Sequence, residues 1–275
     1  MIGKLYVCPT PIGNLKDITM RTLEVLQNVD YIAAEDTRHT IKLLNHYEIK
    51  TALISYYEHN EATKSDWIIE KLQEGKDFAL VTDAGTPGIS DPGSVLIQKL
   101  ILLGIEIIVL PGATAFVPAL VVSGLNTNRF VFEGFLPVKK GDKRRQLETL
   151  KYDTRTIVLY ESPHRLLETL ESLHSVLGNR RMAICRELTK KFEEIVRGSI
   201  EECLHYFKEN ILKGEFVLVI SGLESEKTHL VQDEDMDQAL KQLIQEGYTK
   251  KDAIKYLVEQ YGWNKKTLYK KSLEL

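Results

Sequence analysis

Three loops in this sequence have the composition of ligand-binding turns: PTPIGN at 9–14, DAGTPGISDPG at 83–93 and PGATA at 111–115. Glycine and proline make tight turns with few side chains in the way, so backbone N–H and C=O groups can come close to a ligand. Asp83 can accept a hydrogen bond from a ligand hydroxyl or amine. A second constellation, RELTKKFEE at 186–194, sets Arg186, Glu187, Lys190 and Glu194 close together. There a carboxylate, or a lysine of lowered pKa, could take a proton from a nucleophile; alternatively Lys190 and Glu194 form an exposed ion pair in a hairpin. EDTRHT at 35–40 supplies Glu35, Asp36 and Arg38, with Asp36 or Thr37 able to cap a helix and Arg38 able to meet a phosphate. The nucleotide signatures G-x-G-x-x-G and G-x-x-x-x-G-K-[ST] are absent. GISDP approaches a hydrolase elbow, but Pro92 replaces its second glycine.

The elements that position these residues are legible from periodicity. KLYVCP, YIAAED, TALISYY, DFALVTD and IEIIVLP read as strands separated by amphipathic helical segments, which predicts a mostly parallel sheet covered on both faces. In such sheets ligands bind beyond the carboxyl ends of the strands, where all three loops lie. Thr19 is expected to cap a helix stapled by Ile18 and Leu23. Asp91, followed by Pro92, is expected to cap the helix GSVLIQKLILLG, which Gly104 ends.

After a hinge at SGLNTN, RFVFEGFLP, TRTIVLYES, RMAICREL, FEEIVRGS and EFVLVISG supply a second strand set. The short TKK between the third and fourth predicts a hairpin and a mixed sheet. LESEKTHLVQDEDMD, with six acids, reads as a solvated linker before three short helical patterns. The expected domains are therefore an α/β domain over 1–123, a second over 129–225 and a helical domain over 233–275.

YVCPTPIGNLKDIT, AAEDTRHT, LVTDAGTPGISDPG, LPGATAFVPAL, FEGFLP, YESPHRL and CRELTKKFEE together closely resemble the bacterial ribosomal RNA small-subunit methyltransferase I family, a branch of the tetrapyrrole-methylase fold. The resemblance covers about residues 2–225, and the tail resembles the small helical domain that often ends this family. It implies an S-adenosylmethionine-dependent homodimer that methylates the 2′-hydroxyl of a cytidine in the decoding centre of 16S ribosomal RNA. It also implies a cofactor folded between two domains, held largely by backbone groups near Pro11, Asp83, Thr86, Thr114 and Ala115, with Tyr160, Glu161 and Leu188 closing the cleft. Within that reaction Lys190 is the expected base, with Glu187 orienting it.

The chain has 275 residues, of which 43% are hydrophobic and 27% charged, and a formal net charge of -3, which excludes a uniformly basic nucleic-acid coat but not local patches. Lys139, Lys140, Lys143, Arg144 and Arg145 directly follow FEGFLP and, with Arg38, are the expected RNA-phosphate contacts; a solvated helix face is the alternative. The basic tail interleaves Tyr261, Trp263 and Tyr269, expected to pack a small core. Cys8, Cys185 and Cys203 form no C-x-x-C pair and read as packed thiols, and the histidines show no metal-ligand pairing, so no metal is expected. No signal peptide and no apolar run near the ~20 residues of a membrane span are present, so a cytoplasmic protein is expected. A tetrapyrrole or other small-molecule methyltransferase, and a noncatalytic nucleic-acid-binding protein, are the competing readings.

Overall fold

A computed structural model describes residues 2–210, 212–223, 233–261 and 263–273. The chain forms two compact units, Met1–Ser221 and Gly222–Leu275.

The first unit opens with five strands: β1 (Leu5–Val7), β2 (Tyr31–Ala34), β3 (Ala52–Ser55), β4 (Phe78–Val81) and β5 (Ile107–Val109). All pair in parallel, in the order β3-β2-β4-β1-β5. β4 lies centrally and is buried at every residue, which is why FALV shows no polar alternation. Its side chains still divide by face. Ala79 and Val81 join Leu26 and Leu44 beneath α1 (Met20–Asn28) and α2 (Thr37–His46). Phe78 and Leu80 join Ile68, Leu72, Leu96 and Leu100 beneath α3 (Glu61–Gln73) and α4 (Ser94–Leu102).

Thr19 caps α1 as expected, its hydroxyl accepting from the N–H of Thr22. Asp36 caps α2 in the same way through the N–H of Arg38. The expectation for α4 fails. Its N-cap is Gly93, at φ 135°, and Asp91 makes no capping bond, because the chain turns twice more before the helix begins. Gly104, at φ 66°, does end α4.

The adjacent strands β1 and β4 send their following helices to opposite faces of the sheet. A crevice therefore opens at their carboxyl ends, the switch point at which parallel sheets bind ligands. Thr10 and Gly85 exchange backbone hydrogen bonds of 2.8 and 3.0 Å across it, tying the two loops together.

The second sheet contains β6 (Phe130–Phe135), β7 (Thr156–Glu161), β8 (Arg181–Arg186), β9 (Glu194–Ser199) and β10 (Phe216–Ile220), in the order β6-β7-β10-β8-β9. It is mixed: β6 and β7 are parallel, the remaining pairs antiparallel, and β8–β9 is the expected hairpin. One face packs on α6 (Lys140–Leu150), α7 (Leu166–Leu177) and α8 (Ile200–Glu209) through Leu147, Leu170, Leu173 and Phe207. The other is covered by α5 (Phe116–Val122), whose Ala119 and Leu120 meet Val158, Val217 and Val219, together with Ile12 from the loop after β1. Apolar packing thus joins the first strand set's loops to the second sheet. All three cysteines are free and buried, and burial pushes the Cys8 thiol up to about 12 and those of Cys185 and Cys203 to about 11.

The second unit holds α9 (Asp233–Gln245), α10 (Lys250–Tyr261) and α11 (Lys265–Ser272) around Leu240, Ala253, Leu257 and Leu268. The solvated linker expected at 223–237 falls largely outside the described residues, but from Asp233 onward it is helical. Trp263 packs against this small core, whereas Tyr269 is exposed, contrary to expectation; the side chain of Tyr261 lies outside the described residues.

Candidate active site

Two contiguous cavities occupy the crevice. The first, about 310 Å³, runs from the loop after β4 to the loops after β5 and β7 and the residues leading into β10. Asp83, Thr86, Thr114, Ala115, Tyr160 and Glu161, all singled out from sequence, line it. The second, about 520 Å³, lies beside β1 and α2 and is lined by Pro11, Gly13, His39, Lys42 and Lys190. Ile12, Asp83, Ala84 and Glu215 line both.

The polar groups of the first cavity are sharply divided into engaged and free. Asp83 Oδ1 accepts from the N–H of Asp36 at 3.0 Å, and the Thr86 hydroxyl donates to the Ala113 carbonyl at 2.9 Å. Glu161 is nearly fully buried, with Oε2 accepting from Thr169 at 2.6 Å, Oε1 accepting from the N–H of Ser162 at 2.8 Å and Arg165 Nε 3.7 Å from Oε1. Its carboxylate is therefore committed to holding the turn after β7. Burial raises the Tyr160 phenol against the opposing pull of Thr114 and the backbone at Phe116 and Ala115. Tyr160 packs edge-on to Phe132 and Phe135 at 4.9 and 5.6 Å between centroids, and Phe135 forms part of the cavity wall.

Four carboxylates converge where sequence reasoning singled out only Asp83 as a ligand group. Glu35, Asp91 and Glu215 join it from the ends of β2, the loop before α4 and the residue before β10. Burial raises Glu35, aided by the charges of Asp83 and Asp36 and opposed by the Asp83 N–H. Burial, then the charges of Glu35, Asp83 and Glu215, push Asp91 up to about 7. The one-dimensional pattern does not mark this group: Glu35 and Glu215 lie far along the chain from the loop that carries Asp83 and Asp91, and Asp-Pro before an apolar helix reads equally well as a cap.

Lys190 and Glu187 meet as expected, with Lys190 Nζ 2.8 Å from Glu187 Oε1, but Glu215 Oε2 lies 2.9 Å from the same ammonium. Partial burial works against the charge of Lys190, yet the two carboxylates outweigh it and raise its pKa. The expectation of a lowered lysine pKa is thus corrected: the shift is upward, and two carboxylates hold Lys190 as the ammonium. Burial likewise opposes the charge of Glu187, and Lys190 with the Glu215 N–H lowers its pKa regardless. The alternative Lys190–Glu194 pair is also absent, since Glu194 bonds Arg186 at 3.1 Å and Tyr206 at 2.5 Å.

Close backbone approach shapes this corner. A Cβ on Gly13 would stand 2.4 Å from Lys190 Cγ and 2.8 Å from Thr189 Oγ1, and one on Gly214 would stand 2.5 Å from the Glu187 carboxyl. Glu187 and Thr189 adopt left-handed φ values of 52° and 66°, a costly conformation for residues with side chains. Leu188 between them lines neither cavity. Its side chain is buried with Ile12, Val158 and Val217 and packs rather than facing either cavity.

The basic candidates also divide. Lys139, Lys140, Arg144 and Arg145 are exposed around the start of α6, the two arginines 76% and 81% so and only loosely paired with Glu148 and Asp142. Lys143 is 2% exposed, its ammonium 3.3 Å from Glu168, because it lies on the inward face of α6, so unlike its neighbours it does not project into solvent. Arg38 is exposed and bridged to Asp36 at 2.8 Å. Among the described residues no group of histidine, cysteine or acid side chains could hold a metal ion, and no helix is long and apolar enough to cross a membrane.

Residues 4–204 match the family model of the Tetrapyrrole (Corrin/Porphyrin) Methylases. Over 275 residues the chain is 48% identical to "Ribosomal RNA small subunit methyltransferase I" of Synechocystis sp., covering 100% of this chain and 99% of that protein. It is 47% identical to the protein of the same name from Halalkalibacterium halodurans, over 97% of this chain and 93% of the relative. Among solved structures, uroporphyrin-III C-methyl transferase from Thermus thermophilus, complexed with S-adenyl homocysteine, shares the fold with a TM-score of 0.56 at 15% identity, covering 79% of this chain and 97% of that one. The crevice, its loops and these full-length likenesses agree: the chain belongs to the tetrapyrrole methylase family, on the branch of the ribosomal RNA small subunit methyltransferase I proteins.

Proposed function

We propose that this chain uses S-adenosylmethionine to methylate the ribose 2′-hydroxyl of a cytidine in the decoding centre of 16S ribosomal RNA, acting in the cytoplasm as a homodimer. The observation that carries the reading is the pairing of an acid-lined cavity with a lysine-lined one at the switch point of the first sheet. Glu35, Asp83, Asp91 and Glu215 suit a donor bearing a sulfonium cation, and Ile12, Phe135, Tyr160 and Val217 give its ring an apolar bed. Asp83, Thr86, Thr114, Ala115 and Tyr160 would hold the donor, with Pro11 at the margin and Glu161 fixing the turn beneath it. Bound there, the donor supplies a methyl group for in-line displacement, in which positioning provides much of the rate.

The second cavity suits the anionic backbone of the acceptor, whose reacting ribose would reach past Ile12, Asp83, Ala84 and Glu215, the residues common to both cavities, into the first. Lys190, kept cationic by Glu187 and Glu215, lines the second cavity beside Glu215, which lines both, and can orient a phosphate or ribose oxygen. Arg38, Lys139, Lys140, Arg144 and Arg145 are the proposed backbone contacts that dock the RNA without reading its sequence. Dimer formation is supported by apolar side chains left exposed on α4, the edge strand β5 and α5: Ile101, Leu102, Leu103, Val109, Val117 and Val121. Mass-spectrometric mapping of ribose methylation in small-subunit RNA tests the reading. Cells lacking this protein should lose one 2′-O-methylcytidine, restored by its gene; an unchanged methylation map rejects it.

A further inference from the structure

The reaction needs a group to receive the proton of the attacking hydroxyl, and Lys190 is already protonated. We infer that Asp91 is the general base: its carboxylate, held over the first cavity on a pinned loop and without a protein partner, takes that proton. The inference rests on the functional reading above and adds to it the residue that moves the proton.

Three observations single out Asp91 among the four converging carboxylates. Glu35 accepts from the N–H of Asp83 at 3.4 Å, Asp83 accepts from the N–H of Asp36 at 3.0 Å, and Glu215 accepts from Lys190 at 2.9 Å. Asp91 makes no hydrogen bond or ion pair with any described residue, so its lone pairs remain available. The loop that carries it is closely fixed. Gly88 N–H bonds the Pro92 carbonyl at 3.1 Å, Gly93 N–H bonds Glu61 Oε1 at 2.7 Å, and a Cβ on Gly93 would strike Leu80 at 2.9 Å. Ser90, immediately before Asp91, is held at φ 63°, a strained conformation of the kind that persists where the surroundings over-determine it, often at functional sites. Opposite, Gly134 at φ 63° leaves room for Ser90, whose Oγ a Cβ there would meet at 2.9 Å.

The charged and titratable groups facing Asp91 are Glu35 beyond β2, Asp83 beyond β4, Glu215 before β10, and Tyr160 and Glu161 on β7. All but the phenol are acids; burial, then the charges of Glu35, Asp83 and Glu215, bring Asp91 to about 7, where a base is deprotonated in half the molecules at neutral pH yet strong enough to accept a proton. In the step itself the hydroxyl proton passes to an Asp91 oxygen as the hydroxyl's electron pair forms the bond to the methyl carbon. The methyl's former bond pair leaves with the sulfur, discharging the sulfonium, and the new carboxylic acid returns its proton to water.

Single-turnover methylation of small ribosomal subunits, at saturating donor and RNA between pH 5.5 and 9, tests this with wild type and Asp91→Asn, alongside donor affinity by calorimetry. The expected result is a wild-type rate that rises with pH through one ionisation. Asp91→Asn should be slower by roughly 10²–10⁴-fold and lack that limb, with RNA affinity retained. In the donor-free protein, ¹³C-labelled aspartate carboxyls should include one titrating near neutrality that Asp91→Asn removes. A variant within a few-fold of the wild-type rate, or one whose loss is only in donor affinity and is regained at saturation, overturns the assignment. If Asp91→Asn fails to fold, Asp91→Glu and the carboxyl titration decide: a wild-type protein without a near-neutral carboxyl overturns it. Absence of ribosomal RNA methylation by wild type is the separate failure, defeating the functional reading itself.

Discussion

At the scale of single residues, this site shows how far environment reassigns chemistry. Two carboxylates, Glu187 and Glu215, keep Lys190 a fixed cation, while burial, then the charges of Glu35, Asp83 and Glu215, leave Asp91 half-protonated near neutral pH. Holding an acid in such a place costs stability, and the sign is testable. The pKa of Asp91 is raised on folding, so between its unfolded value of roughly 4 and about 7 the native state binds more protons than the unfolded one. Stability from this group is present at low pH and lost as pH rises through that window. Asp91→Asn, which removes the buried charge, should therefore raise Tm at pH 8 by about a few degrees and change it little at pH 4, measured by calorimetric scans. A Tm difference independent of pH would place the Asp91 carboxyl in water.

At the scale of elements, the site depends on backbones brought closer than side chains permit. The β8–β9 turn sits on the loop after β1, where Gly13 gives way to Lys190 and Thr189, and the N–H of Asn14 bonds the Thr189 hydroxyl at 3.1 Å. Gly13→Ala should force this turn outward, since its nearest contacts include the Leu188 carbonyl at 3.1 Å as well as movable side-chain atoms. A loss of about 1–3 kcal/mol, the usual range for overpacking, is expected in urea unfolding, with methylation falling further because the Glu187–Lys190–Glu215 cluster moves with the turn. Unfolding and activity both at wild-type values would show that the turn yields freely. The same logic explains the loop before α4. Proline and glycine there delay the helix by two residues, which frees Asp91 from the capping role its position suggests.

At the scale of the molecule, a net charge of -3 conceals a division of labour: acids line the first cavity, and arginines and lysines project from the start of α6. Replacing both Arg144 and Arg145 by glutamate should weaken RNA binding about equally for different sequences and flatten its salt dependence, while donor affinity stays unchanged. Filter binding across 50–200 mM salt checks this, and an unaltered slope would assign the patch to solvent. Lys143, only one residue from this pair, is expected to contribute little to binding because it is buried against Glu168 of α7.

The sequence by itself determined the strand sets, the parallel first sheet, the β8–β9 hairpin, the Thr19 cap and the three ligand loops. Each follows from local signals, namely periodicity, capping side chains and turn residues, that act over a few positions. It also brought part of the first cavity's lining into view, since Asp83, Thr86, Thr114, Ala115 and Tyr160 all converge there. Only the tertiary structure decided which groups carry charge and which merely pack. Leu188 and Lys143 turn inward because of the face they occupy. The protonation of Lys190 and Asp91 is set by carboxylates from distant strands, because electrostatic free energy depends on distance and burial in space rather than on separation along the chain.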